Sequence, residues 1–274
     1  MFMFTKEDLK KQLEEMGIQV SYFYGIEVDP KIQETVEKAY LDVAKRAQKS
    51  SKGDPLWGAM TVMDYEGNVK AIVGGIGEKT KNRAFNCATD AKRQPGSTMK
   101  PISVYAQAIE KNVITYSSIL NDTKAKYGKW SPKNAGGGYS GNMTAQKALE
   151  RSINTIPVAL ANKMGAQSCY NFLTEKLGLK YLTEQDINLS SMGLGGTSGG
   201  VTTLQSAAAY AIFGNGGRYY EPTFYTKVTD QKGNIVLEKN TKPVMAVSSD
   251  TATIMNKMLE ERGLSKHFVI DSAG

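Results

Sequence analysis

Arg93-Gln94-Pro95-Gly96-Ser97-Thr98-Met99-Lys100-Pro101 is the stretch around which the rest of the chain makes sense. Pro95-Gly96 supplies a turn, and Ile102, Ala106 and Ile109 behind it form an apolar stripe at helical spacing, so a helix opens at the serine. Helix positions three apart share a face, which brings the Ser97 hydroxyl and the Lys100 ammonium together. The unpaired N–H groups of the first turn then point toward whatever the serine attacks. Pro101 lacks an N–H and its ring crowds the carbonyl four residues back, so the first turn is distorted and Ser97 is expected on strained backbone. A hydroxyl beside an amine at a helix start is the arrangement of an activated nucleophile. Ser-x-x-Lys arises often by chance; the turn and the stripe give this one its weight.

At 274 residues and 41% hydrophobic content, the chain can bury a sizeable core as one large domain, or as one domain with a small appendage. Its formal charge of +7 suits an anionic partner such as a wall polymer. The lysines are scattered rather than gathered on one helix or interleaved with stacking aromatics, so no nucleic-acid partner is expected. Two cysteines, Cys87 and Cys169, could pair or stand free as small hydrophobes, and free thiols are the preferred reading. The lone His267 leaves no zinc-type cluster, so no metal site and no cofactor are expected. The opening Met-Phe-Met-Phe-Thr is neither a secretory core nor a membrane span.

Taken in order, Thr5 with Asp8 starts a short amphipathic helix through Met16, and residues 20–28 alternate as a strand. Asp29-Pro30 caps a second helix carrying Ile32, Val36, Tyr40, Val43 and Ala47 on one face. Residues 58–64 and 69–75 form a hairpin about Tyr65-Glu66-Gly67-Asn68. Gly74-Gly75-Ile76-Gly77 and Gly193 to Gly200 complete neither a dinucleotide nor a phosphate loop, and are read as backbone-permissive loops, the second beside a cleft. Asn121 to Gly141 is a long turn-rich loop holding Trp130-Ser-Pro132-Lys-Asn134. Thr144 caps the next helix, and Pro157 interrupts it, leaving Ser152 and Asn154 at a bend, where by themselves they read as capping residues. An alanine-rich helix over 201–213, a hairpin of 224–228 with 235–237, and a helix over about 250–261 complete the chain.

Arg93-Gln-Pro-Gly-Ser97-x-x-Lys100-Pro101, Trp130-x-Pro132-x-Asn134, Ser152-x-Asn154 and Thr203-Leu-Gln-Ser-Ala-Ala-Ala-Tyr-Ala211 follow one another in a single family's order. The chain resembles the transpeptidase domain of class A (bifunctional) penicillin-binding proteins, from about Val28 to its last residue. The resemblance implies an α/β (α+β) transpeptidase fold of the serine β-lactamase type, with helices on an antiparallel sheet plus an all-helical part. It implies a linker over 1–27 and the transpeptidase domain over 28–274. By the same resemblance the chain is a D,D-transpeptidase acting without cofactor on peptidoglycan stem peptides, blocked by β-lactams, at the extracytoplasmic face of the bacterial membrane. Ser97 is then the nucleophile, Lys100 its base, Ser152 the proton relay to the leaving amine, Asn154 the holder of the substrate amide, and Trp130 a substrate-binding residue. A free lysine titrates near about pH 10.4, so a half-neutral base at pH 7 asks for about 4.6 kcal/mol from desolvation and neighbouring positive charge.

Two departures stand out. No glycosyltransferase domain is present, and the family's third motif, Lys-Thr-Gly, occurs nowhere in the 274 residues. The chain ends Asp271-Ser-Ala-Gly274, and in the family an Ala-Gly pair commonly stands just before that motif, so the sequence is expected to be cut there and the chain as given to be inactive. The parent is expected to be anchored to the membrane by a segment not included here. An incomplete sheet leaves the hairpin at 58–75 with an open edge and suggests strand-mediated self-association. The alternatives are a non-catalytic wall- or partner-binding module of the same fold, a D,D-carboxypeptidase, and a basic nucleic-acid-binding protein showing steep salt dependence.

Overall fold

In the computed structural model, which describes residues 22–46, 56–78, 85–230, 232–240 and 242–264, the chain opens with β1 (Tyr22–Ile26), α1 (Pro30–Arg46), β2 (Met60–Met63) and β3 (Val69–Val73). A 3-10 turn (Gly96–Thr98) and a wide π turn (Pro101–Tyr105) lead into α2 (Ala106–Glu110), followed by β4 (Ile119–Asp122), β5 (Gly141–Thr144), α3 (Ala145–Glu150) and α4 (Thr155–Met164). Then come α5 (Ala166–Asn171), α6 (Leu189–Leu194), α7 (Thr203–Ala211), β6 (Arg218–Tyr219), β7 (Tyr225–Thr229), β8 (Ile235–Glu238), β9 (Val244–Met245) and α8 (Ser249–Leu264). The described residues fall into two compact units, one of Tyr22 to Lys92, Thr202–Ala211 and Tyr220–Pro243, the other of Arg93–Val201, Ile212–Tyr219 and Val244 to Leu264. The readings at Thr5–Met16, Ala47 and His267 lie outside the described residues.

In the first unit Asp29 caps α1 as its sequence requires, its Oδ1 accepting from the N–H groups of Lys31 (2.8 Å) and Ile32 (3.2 Å). Val36 packs on Ala71 and Val73 of β3, with Ile32, Tyr40 and Val62 around them. Val43, placed on the same stripe by spacing, is exposed instead. β2 and β3 pair antiparallel about Tyr65–Asn68, with Asp64 gathering the turn through the N–H groups of Glu66 and Asn68, both at 2.9 Å. β7 pairs antiparallel with both β1 and β8.

Gln33, buried on α1, acts as an extra strand residue: its Oε1 accepts from Ile72 N–H at 2.8 Å and its Nε2 donates to Ile72 O at 3.0 Å. Asp29 N–H also donates to Lys70 O at 2.8 Å. These bonds occupy backbone groups on the outer edge of β3, and among the described residues no strand pairs with the other edge of β2.

The second unit is mainly helical, with α4 packed on α6 and α8 on α2 and α3. Residues 121–141 are not a free loop as their composition suggested. Their ends form the hairpin β4–β5, with Asp122 opposite Gly141. Strands of four residues carry too little alternation to announce themselves. Pro157 does not interrupt a helix either; it stands in the first turn of α4, where a missing N–H costs nothing, and the break lies upstream at 151–154. Both cysteines are buried thiols outside any disulfide, and burial pushes the Cys169 thiol up to about 11, leaving it inert at neutral pH.

Candidate active site

Gly96 has φ +56, which glycine tolerates best, and it opens the single 3-10 turn that carries Ser97. Ser97 is exposed, while Met99 and Lys100 just beyond it are buried. Pro101 has no N–H to give the Ser97 carbonyl, and the helix widens: Ala106 N–H donates to Pro101 O in a π-type bond before regular α geometry resumes. The expected distortion is therefore real, but the strain is not at Ser97. The left-handed backbone falls at Gly96 and at Ser152 (φ +53).

The segment read as a permissive loop supports this turn from behind. Arg93 and Val201 exchange both backbone hydrogen bonds, at 3.0 and 2.9 Å, and Gly96 N–H donates to Gly195 O at 3.3 Å. Gly195 closes α6 at φ +72, and a Cβ there would stand 2.2 Å from Gly96 O. Glycine is thus the one residue that fits without moving the serine's turn. The following residues are held by the buried Asp186 carboxylate, which accepts from Ser198 N–H (2.6 Å), Ser198 Oγ (2.9 Å) and Gly199 N–H (3.3 Å).

Lys100 is 1% exposed, and its Nζ donates to Ser152 O (2.8 Å), Ser152 Oγ (3.1 Å) and Asn154 Oδ1 (2.6 Å). These contacts run across the site to the segment at 152–154. The left-handed φ of Ser152 turns its carbonyl and hydroxyl onto the same ammonium, a conformation that costs roughly 1–3 kcal/mol and clusters at functional sites. Asn154 occupies the N-cap position of α4 yet makes no side-chain cap bond. Its amide goes to Lys100 and, through Nδ2, to Lys133 O at 2.7 Å, which removes the plain capping account.

Behind Asn154 lies a network that spacing alone gave no role. Asn134 Oδ1 accepts from Asn154 N–H at 2.9 Å, and Asn134 Nδ2 donates to both oxygens of Asp122 at 2.9 and 3.0 Å. Asp122, 1% exposed, also accepts from Thr155 Oγ1 (2.6 Å) and Ser140 N–H (2.8 Å). Burial by itself would raise this carboxyl; the donors from Thr155, Asn134 and Ser140, with the charge of Arg151, outweigh it and hold it below the usual range. Trp130 is paired with Tyr127. It is half-buried, its backbone bridges Tyr127 in a tight turn, and its ring lies 6.4 Å from that of Tyr127.

The family described as "Penicillin binding protein transpeptidase domain" matches residues 58–268. The penicillin-binding protein 1A of Clostridium acetobutylicum is 32% identical over 271 residues, covering 94% of this chain and 33% of that protein. Penicillin-binding protein 1F of Bacillus subtilis is 29% identical over 253 residues, covering 90% of this chain and 33% of that protein. The chain therefore spans about a third of the length of the curated relatives it matches. Among solved structures, penicillin-binding protein 1A from Haemophilus influenzae superposes with a TM-score of 0.62 at 25% identity, over 78% of this chain and 37% of that one. The PonA1 protein from Mycobacterium tuberculosis in complex with penicillin V shares the fold, with a TM-score of 0.73 at 21% identity over 93% of this chain and 69% of that one. A match over most of the sequence, carried on the same fold, means that the chain belongs to the transpeptidase domain family of class A penicillin-binding proteins.

Proposed function

We propose that this chain is the part of a peptidoglycan D,D-transpeptidase that carries its acyl-enzyme serine, Ser97, through which the whole gene product cross-links stem peptides, and that β-lactams acylate the same oxygen. The observation that carries the reading is an exposed Ser97 three residues from a Lys100 that is 1% exposed and bound to three neutral acceptors. A lysine stripped of water in this way is suited to act as a base. Ser97 Oγ attacks the carbonyl carbon of the penultimate D-Ala as its proton passes to neutral Lys100 Nζ. The tetrahedral oxyanion faces the Ser97 N–H at the start of the helix. On collapse the peptide C–N bond breaks and the departing D-Ala amine takes a proton from Lys100 by way of Ser152 Oγ, which already touches Nζ at 3.1 Å. An amine from a second stem peptide then attacks the ester, the new C–N bond forming as the ester C–O bond breaks, and the proton the amine loses passes through Lys100 Nζ back to Ser97 Oγ. Asn154 holds Lys100 and offers its amide to the substrate's amide.

A β-lactam follows the first half of the same course, its ring C–N bond breaking, and stays tethered as an ester. The place of action is the extracytoplasmic face of the membrane, where the stem peptides are; among the described residues no helix is long and apolar enough to cross it. Intact mass spectrometry of the whole gene product with benzylpenicillin tests the reading. One adduct, lost in Ser97→Ala, is expected; an adduct that persists in that variant overturns the assignment.

A further inference from the structure

We infer that Asp122 and Asn134 are positioning residues for the reaction, setting Asn154, and through it Lys100, from the far side of the β4–β5 hairpin. The inference rests on Lys100 being the base, as proposed above. Its own support is a continuous run of hydrogen bonds with one consistent polarity. Asp122 offers acceptor oxygens alone, so Asn134 turns its Nδ2 toward it, at 2.9 and 3.0 Å, and its Oδ1 away. That Oδ1 takes the Asn154 N–H at 2.9 Å. Asn154 Nδ2 is in turn engaged by Lys133 O at 2.7 Å, one residue before Asn134, which leaves Oδ1 to face Lys100 Nζ at 2.6 Å.

An asparagine side chain can present either end of its amide: the buried Asp122 carboxylate settles this for Asn134, whose Oδ1 then holds the Asn154 backbone N–H, and Lys133 O settles it for Asn154. Asp122 fixes more than one segment. Thr155 Oγ1 at 2.6 Å ties it to the first residue of α4, directly after Asn154, and Ser140 N–H at 2.8 Å ties it to the residue before β5. Asn134 Nδ2 also donates to Gly138 O at 3.1 Å, closing the connection between the two strands. Asn134 and Ser140 are thus held to the same carboxylate that, through Asn134, holds the Asn154 backbone, and no acidic residue lies between Asp122 and Glu150 to serve in its place. The arrangement accounts for the Trp130-x-Pro132-x-Asn134 motif on the residue that its aromatic end does not explain. Trp130 packs on Tyr127, whereas Asn134 reaches the base through Asn154.

The test measures benzylpenicillin acylation of the whole gene product, following both the rate constant of ester formation at saturating drug and the final number of adducts per protein. Asn134→Ala is expected to slow acylation by about 10- to 100-fold while the final stoichiometry still reaches one, because the site is misaimed and not unfolded. Asn134→Asp sets a second carboxylate against Asp122 and is expected to be slower still, and adding Asp122→Asn is expected to restore the rate to within about tenfold of wild type by reversing the polarity of the pair. Wild-type rates in Asn134→Ala overturn the inference. So does a loss of final stoichiometry at an unchanged rate in the reactive fraction, or a double variant no faster than Asn134→Asp, since each is what a purely structural pair gives. Failure of the wild-type protein to form a Ser97 ester defeats the proposed function itself, and is read separately from the same spectra.

Discussion

Replacing Lys100 by arginine separates a base from a fixed charge, because a guanidinium stays protonated at any working pH. The structure sets the size of both consequences. Lys100 is 1% exposed and its Nζ meets Ser152 O, Ser152 Oγ and Asn154 Oδ1 within 2.6–3.1 Å, a convergence suited to a compact head group. A planar fork does not reproduce it, so overpacking is expected to cost about 1–3 kcal/mol. For a chain of this length that corresponds to a melting temperature lower by roughly 2–12 °C. Acylation is expected to fall by about 10²–10⁴-fold, the usual contribution of a general base. Lys100→Met provides the complementary case: it relieves the crowding, leaves three acceptors without their donor, and should be equally slow to acylate. The assay is the time course of benzylpenicillin adduct formation by intact mass on the whole gene product, with a thermal melt on the same samples. Acylation by Lys100→Arg within a few-fold of wild type would refute the reasoning and assign the proton to another group.

Gly195→Ala combines a left-handed φ of +72 with a Cβ 2.2 Å from Gly96 O, and is expected to lower both melting temperature and acylation rate; a wild-type rate of adduct formation would show that the Ser97 turn does not depend on this contact. Asp186 titrates below the 3.8 of a free aspartate, since donors from Thr183, Ser198 and Gly199 outweigh the upward push of burial. A depressed folded value adds stability above about pH 4, and that stability is lost as the pH falls through the folded value, so melting temperatures should drop below about pH 4. Asp186→Asn should be less stable at pH 7 and flatter across that acid range in calorimetry; an unchanged acid slope contradicts the assignment. β2 carries the open edge of its hairpin, with Met60 40% and Trp57 66% exposed beside it, so the 274-residue chain is expected to self-associate with concentration in sedimentation. Met60→Lys should shift it toward monomer, and indifference to that substitution places the contact elsewhere.

The sequence by itself determined whatever depends on neighbours a few residues apart. Asp29-Pro30 announces its helix, Thr144 its cap, and Gly67-Asn68 its hairpin, because capping and turn chemistry act within four residues. Ser97 and Lys100, three apart at a Pro-Gly turn, stood out for the same reason, and the order of motifs was enough to indicate the family. What only the tertiary structure decided is which groups face Lys100. Ser152 and Asn154 read as capping residues from their own surroundings, and only the path of the chain, 52 and 54 residues on, turns them onto the ammonium. The proline at 101 foretold a distorted turn but not where the strain would settle, since that depends on Gly195 pressing on Gly96 from another part of the chain. Asp122 gave no signal, because an aspartate at the end of a four-residue strand looks like any solvated turn residue until its burial and its donors from 134, 140 and 155 are known. Periodicity and capping are properties of a segment, whereas the polarity of a buried hydrogen-bond relay belongs to residues that meet only when the chain has closed on itself.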